Sequence, residues 1–255
     1  MAESMTSFPS AAILVIGNEI LTGRTQDRNI SILAERLSGI GVRLSEARII
    51  RDKSSSIVDA VRTLSANHDY LFTSGGIGPT HDDITTDSIA LAFDTLVEQH
   101  PGAVDMLKSY YGSAELTEIR LRMARIPCGA HLIPNAVSGA PGYQISNVYV
   151  MAGVPRIFAS MLAHVMPTLQ AGSPLMALGV YGVIAESVIA DDLAHLDTMH
   201  SDVEIGSYPS MRAHFSAVQV VVRGVDNDKV REVAEAVQAI MRAKGVEPGN
   251  IEESL

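Results

Sequence analysis

The sequence predicts an α/β fold for residues 11–170, three αβα layers built on a mostly parallel sheet, followed by a small α+β domain at residues 175–255. Three observations predict it. Runs of strand length recur at residues 11–16, 42–50, 70–72 and 147–151. Segments with apolar residues at helical spacing lie between them. Glycine-rich turns follow several of the runs. Strands alternating with helices at this spacing give a parallel sheet with right-handed crossovers and helices on both faces.

Residues 1–10 read as a loose tail, without the basic and apolar regions of a signal peptide. Residues 11–16 (A-A-I-L-V-I) are continuously apolar, as in a strand buried on both faces. The polar loop at residues 17–29 follows (G-N-E-I-L-T-G-R-T-Q-D-R-N). It is not a P-loop: five residues separate Gly17 from Gly23 where that motif has four, and Arg24 stands where lysine belongs. Asp27 or Asn29 is placed to cap the next helix. That helix turns Ile30, Leu33, Ala34, Leu37 and Ile40 inward and stops at Gly41. After the second strand, Asp52 stands at a strand end, where open α/β sheets hold ligands, or is a solvated turn acid. Residues 54–56, all serine, cap a helix with Ile57, Ala60, Val61 and Leu64 inward.

The third strand leads into T-S-G-G-I-G-P-T-H-D-D, residues 73–83, and then a helix over residues 84–93. Gly75, Gly76 and Gly78 permit backbone angles closed to other residues and let a ligand approach the main chain. Free N–H groups at a helix start favour an anion such as phosphate. Asp82 and Asp83 add hard oxygen ligands for Mg²⁺ or a similar cation. The competing reading is that Thr80-His81-Asp82-Asp83 is a helix-capping pattern. Three glycines, a proline and two acids in one turn favour the phosphate and metal reading. A dinucleotide-binding G-x-G-x-x-G would need glycine at His81.

Residues 98–125 read as helical in two pieces, 101–111 and 116–125. Arg120, Arg122 and Arg125 read as a solvated face. Residues 126–143 form a long ordered loop, the kind that carries function. Pro155 opens a helix whose Phe158, Met161 and Leu162 are core. A linker is expected at residues 171–174. Strand, helix, two strands and a helix follow, with Val230, Val233, Ala234, Val237 and Ile240 inward in the last helix. His195, His200 and His214 match no metal-binding spacing.

Lys plus Arg number 19 against 29 Asp plus Glu, a net charge of −10, which argues against general nucleic-acid binding. The one cysteine, Cys128, forbids an internal disulfide and fits a reducing cytoplasm. No run reaches the eighteen or so apolar residues that span a bilayer, so no membrane partner is expected.

Residues 11–170 resemble the molybdopterin-binding MoaB/Mog-type domain, in the version that opens CinA-like competence-damage-inducible proteins. The matching stretches are G-N-E-I-L-T-G from Gly17, Asn18 and Glu19 through Thr22 to Gly23, and D-x-N at Asp27 and Asn29. S-G-G-I-G-P-T-H-D-D runs from Ser74 to Asp83, preceded by Thr73 and including Pro79. I-P-N ending at Asn135, S-G-A-P-G with Ser138, Gly139, Pro141 and Gly142, and A-G-V-P with Gly153 and Pro155 complete the set. The C-terminal piece looks like the KH-like domain of such proteins, and the amidohydrolase domain of longer members is not expected. The resemblance implies a pterin- or nucleotide-phosphate site in the glycine turns. It also implies divalent-metal-dependent (Mg, Co or Mn) ADP-ribose pyrophosphatase or FAD-hydrolase chemistry, with Asp82 and Asp83 holding the metal beside Glu19. Adenylyl transfer to molybdopterin and non-catalytic binding are the alternatives. Asn18, in place of an acid, favours the latter; Ala152 and Ile157 also depart from the pattern. A small phosphate-bearing ligand and a homo-oligomer are the expected partners.

Overall fold

A strand whose two faces are both apolar must be covered on both sides, and β1 (Ser10–Ile16) is that strand. Ala12, Leu14 and Ile16 enter one core, while Ala11, Ile13 and Val15 enter the other, the period of two that a strand imposes. The computed structural model describes residues 8–212 and 215–253, in two units, Met1–Gly172 and Ser173–Leu255.

In chain order the first unit continues with α1 (Asn18–Leu21), α2 (Asn29–Ser38), β2 (Arg43–Ile50), α3 (Ser54–Asn67) and β3 (Tyr70–Ser74). Then come α4 (Thr85–Ala92), β4 (Val97–Gln99), α5 (Pro101–Tyr111), α6 (Glu118–Leu121) and β5 (Arg125–Pro127). β6 (His131–Ile133), β7 (Gly142–Ile145), β8 (Val148–Met151) and α7 (Pro155–Val165) complete it. The six-stranded sheet has the order β2-β1-β3-β8-β7-β6. The pairs β1–β2, β1–β3 and β3–β8 are parallel, and the last two are antiparallel. α3, α4 and α5 cover one face; α2 and α7 cover the other. The three-layer, mostly parallel α/β fold is therefore present. The helix faces follow the apolar spacing: Ile57, Ala60, Val61 and Leu64 of α3 are all buried.

Several local expectations are corrected. Residues 98–125 are not two helices. α5 matches the first piece, but the second breaks into α6 and turns of 3₁₀ helix, and β4 and β5 pair as an antiparallel ribbon. The arginine-rich segment lacks an apolar stripe wide enough to hold a continuous helix on the core. Residues 126–143 are not all loop, since β6 pairs with β7 there. Ser54–Ser56 are the first turn of α3 and make no cap bond; the cap position is Lys53, and Ser54 Oγ accepts instead from Ser88 Oγ of α4 at 3.1 Å.

The second unit contains β9 (Met176–Gly182), α8 (Glu186–Met199), β10 (Val203–Arg212), β11 (Phe215–Gly224), α9 (Asn227–Ala243) and β12 (Glu252–Glu253). Its antiparallel sheet, order β10-β11-β9-β12, packs Val218, Val220 and Val222 against both helices. Val230, Val233, Ala234 and Val237 of α9 are buried, with Met241 rather than Ile240 completing the stripe. Among the described residues no helix is long and apolar enough to cross a membrane.

Leu14 is fully buried on the central strand. Leu14→Ala is expected to lower the stability of the first unit by about 2–5 kcal/mol. Urea unfolding followed by circular dichroism measures this, and an unchanged midpoint would contradict the account of the core.

Candidate functional site

The carboxyl ends of β1, β3 and β8 deliver three turns to one place. Gly75, just past β3, has φ +110°, and a Cβ there would stand 2.2 Å from the carbonyl oxygen of Ile16 at the end of β1. Only glycine accepts that approach. A Cβ on Gly153, just past β8, would lie 3.3 Å from Gly75 Cα. Asn29, the first residue of α2, ties the turns together from below. Its Nδ2 donates to Ser74 Oγ at 2.7 Å and to the Gly153 carbonyl at 2.8 Å, and the residue is 1% exposed. Thr85, at the start of α4, donates its N–H to the Gly76 carbonyl at 3.0 Å and its hydroxyl to the Gly75 carbonyl at 3.0 Å. The first N–H of that helix is therefore occupied by the turn itself and not held free for an anion.

These turns line a cleft of about 520 Å³. Gly17, Gly75, Gly76, Gly78, Pro79, Asn135, Ser138, Gly153 and Pro155 face it, together with four carboxylates, Glu19, Asp52, Asp82 and Asp83. Among the described residues lining it there is no lysine, arginine or histidine. Asp52 Oδ2 accepts from the Asn18 backbone N–H at 2.8 Å, which places the end of β2 against α1. Other sequence-predicted site residues lie off the wall. Thr73 and Ser74 are buried beneath it, and the Thr73 hydroxyl has no hydrogen-bond partner. Asp27 Oδ1 accepts from Ile30 N at 2.9 Å, the capping role. Asn18 contributes its backbone, Thr22 Oγ1 donates to the Glu19 carbonyl at 3.2 Å, and Gly142 packs against the Val150 carbonyl. Thr25 and Met123 line the cleft without having been singled out in the sequence. Nothing in their local pattern marks them; distant segments bring them there.

Thr80 does not cap α4, because the helix starts at Thr85. Thr80 instead closes a tight turn on the acids. Its N–H donates to Asp83 Oδ2 at 2.8 Å, and its hydroxyl faces both Asp82 Oδ1 at 2.6 Å and Asp83 Oδ2 at 2.5 Å. A hydroxyl has one proton, so it serves one carboxylate at a time. The Thr80 hydroxyl holds the exposed Asp82 carboxyl below its usual range, so Asp82 is ionised at neutral pH. Among the described residues no three His, Cys, Asp or Glu side chains converge on a preformed metal site. His195 lies on α8 and His200 follows it; His214 lies outside the described residues.

The rim loop at Asn135–Gly139 is braced from outside. Asn135 Nδ2 donates to Ser138 Oγ at 2.6 Å and to the Ala140 carbonyl at 3.0 Å. Tyr110 of α5 donates to the Val137 carbonyl at 2.9 Å, and its Cβ stands 2.4 Å from where a Gly139 Cβ would be. A smaller crevice of about 190 Å³ adjoins the cleft and includes Pro141, Tyr143 and Arg122. Arg125 forks onto Asp87 with bonds of 2.6 and 3.0 Å. Arg120 stacks over Tyr111 at 4.2 Å, so the three arginines do not form one solvated face.

Two variants test this construction. Gly75→Ala is expected to cost at least about 2 kcal/mol, because the new methyl meets backbone at a disfavoured φ. Asn29→Ala removes two buried donors and is expected to cost about 1–3 kcal/mol. Thermal denaturation reads both, and wild-type melting for either would contradict the stapled-turn geometry.

A family model described as a probable molybdopterin binding domain matches residues 12–171, and one described as the middle domain of FAD synthase matches residues 174–249. A protein of Aeropyrum pernix is 30% identical over 266 aligned residues, covering 98% of each chain. A CinA-like protein of Citrifermentans bemidjiense is 32% identical over 85% of this chain and 54% of its own. A probable FAD synthase of Caenorhabditis elegans is 29% identical over 91% of this chain and 50% of its own. The chain spans about half the length of these last two relatives. Among solved structures, CinA of Thermoplasma acidophilum, of unknown function, aligns with a TM-score of 0.58 and 31% identity, over 62% of this chain and 98% of its own.

Proposed function

Because this chain belongs to the family of probable molybdopterin-binding domains, we propose that its cleft binds a nucleotide diphosphate and hydrolyses the diphosphate linkage with the help of a divalent cation. ADP-ribose and FAD are the first substrates to test. The observation that carries this reading is the charge of the cleft. Four carboxylates line it and no described lining residue is basic, while Gly17, Gly75, Gly76, Gly78 and Gly153 present only backbone to it. A phosphate group there requires a cation to offset like charges. The match of residues 174–249 to a domain of FAD synthase supports a nucleotide ligand.

The donor set fits a magnesium-like ion that takes one or two carboxylates and completes its shell with phosphate oxygens and water. Asp82 and Asp83 would hold it, with Glu19 across the cleft. The bound ion would offset charge on the phosphates and lower the pKa of a water molecule. Gly75, Gly76 and Gly78 position the diphosphate, and the Thr80 hydroxyl orients whichever aspartate it serves. Water adds to one phosphorus. The bridging P–O bond breaks, its electron pair leaving with the departing phosphate. Glu19 takes the proton from the water. The second reading is binding without turnover. Asn18 favours it, since that position supplies an amide and a backbone N–H rather than an acid.

Incubation of ADP-ribose with Mg²⁺, Mn²⁺ or Co²⁺ is expected to yield AMP and ribose 5-phosphate. EDTA is expected to stop the reaction. Asp82→Asn and Asp83→Asn are each expected to lower turnover by about a hundredfold or more, with Asp82→Asn leaving the melting temperature unchanged. Full activity in both variants would refute the metal role of this pair. Saturable binding of ADP-ribose with no products under any of the three metals would select the second reading.

A further inference from the structure

The cleft is acidic inside, and the cations around its mouth are set apart from the others of the first unit. Arg24, Arg51, Lys53, Arg122 and Arg156 are exposed, and none of them lines the cleft. Each stands one residue from a residue that does: Arg24 before Thr25, Arg51 and Lys53 on either side of Asp52, Arg122 before Met123, and Arg156 between Pro155 and Ile157. Consecutive Cα atoms are about 3.8 Å apart, so all five side chains are rooted at the opening. They come from four separate stretches: the loop after α1, the end of β2, the turn before β5 and the start of α7. The fold gathers them around one cleft.

Among the described residues none of the five has a carboxylate partner. Arg122 makes one long bond, donating from Nη1 to the Pro79 carbonyl at 3.4 Å. By contrast Arg48, Arg62, Lys108, Arg120 and Arg125 of the same unit each meet an acid. Exposed ion pairs contribute little to stability, so leaving these charges unpaired costs little. It does leave their field in the solvent at the opening. At 0.1 M salt such a field reaches roughly 10 Å, so the nearest charges decide what an incoming ligand feels. The chain as a whole carries −10, yet the five cations outnumber the four carboxylates that line the cleft. Those carboxylates repel a phosphate group until a metal offsets them. An anion therefore needs attraction from outside the cleft to reach it.

We propose that these five cations form a collar that draws a multiply charged anion of the diphosphate class to the cleft and speeds its entry, without touching it once bound. This inference rests on the phosphate-ligand reading of the cleft and adds how the ligand arrives. Steering of this kind raises the association rate, fades as salt is added and leaves dissociation alone. A direct contact to the bound ligand acts on dissociation instead.

Stopped-flow mixing with fluorescent N-methylanthraniloyl α,β-methylene-ADP in Mg²⁺ reads both rates. In the wild-type protein the association rate is expected to fall about tenfold between about 20 and about 300 mM KCl. With Arg24→Gln, Arg51→Gln, Lys53→Gln, Arg122→Gln and Arg156→Gln combined, it is expected to start about tenfold lower and to vary less than about twofold with salt. Dissociation rate and melting temperature are expected to match the wild type. The pair Arg24→Gln and Arg156→Gln, a smaller burden on folding, is expected to lose about threefold in association. The pair Arg36→Gln and Arg62→Gln makes the same change of net charge where α2 and α3 have run back from the cleft, and is expected to associate like the wild type. An unchanged association rate and salt slope in both collar variants would overturn the proposal. Faster dissociation at an unchanged association rate would overturn it in favour of direct contacts. Equal losses in the two pairs would overturn it in favour of net charge alone. If the wild-type protein binds the analogue at no salt concentration, the phosphate reading of the cleft fails and the collar with it.

Discussion

Everything at the ligand end of this fold depends on how closely three strand ends approach. β1, β3 and β8 are parallel and nearly adjacent, so their turns must leave the sheet on the same side. They do so with almost no room between them, as the contact of Gly75 with the Ile16 carbonyl and with Gly153 makes plain. Such packing brings polar backbone into the interior, where unsatisfied carbonyls are costly. Asn29 and Thr85 meet that need. One buried amide and one buried threonine supply donors to Ser74, Gly153 and Gly75. The D-x-N stretch is thus a structural staple beneath the site rather than part of its wall.

With the turns held, charge decides the chemistry. The chain as a whole is acidic, and its cleft concentrates that sign in Glu19, Asp52, Asp82 and Asp83. The carboxylates come from three places, α1, the end of β2 and the turn that holds both Asp82 and Asp83, and the last two share the Thr80 hydroxyl. Basic groups do occur nearby, but outside the cleft, and one of them is already committed to Asp87. The cleft is thus acidic, while the adjoining crevice holds groups of both signs.

Much of the fold was legible because its signals are local. Residues 11–16 declare a doubly buried strand by being apolar at every position, and α3 shows its inner face at Ile57, Ala60, Val61 and Leu64 without error. The glycine turn was legible for the same reason, since three glycines before a helix have few other uses. What stayed hidden depends on tertiary placement. The segment after α5 reads as helix by composition, but Arg125 is taken by Asp87 and Arg120 by Glu115 and the ring of Tyr111, and the chain breaks into short turns. Tyr143 carries no local mark of a buried, unpaired hydroxyl. Helix capping by Thr80, the competing reading of that stretch, does not occur: Thr80 bonds Asp83 within a turn that closes ahead of the helix.

The brace between Tyr110 and the rim loop assigns different parts of the site to different levels of stability. The floor is anchored in the sheet by fully buried strands. The rim is held by the Asn135 side chain and by Tyr110 in the last turn of α5, which ends at Tyr111. Helix ends fray at a free-energy cost far below that of global unfolding. Amide hydrogens of residues 135–139 are therefore expected to exchange through a local opening that leaves those of β1 and β3 protected. The rim of the cleft can thus open without loss of the sheet beneath it.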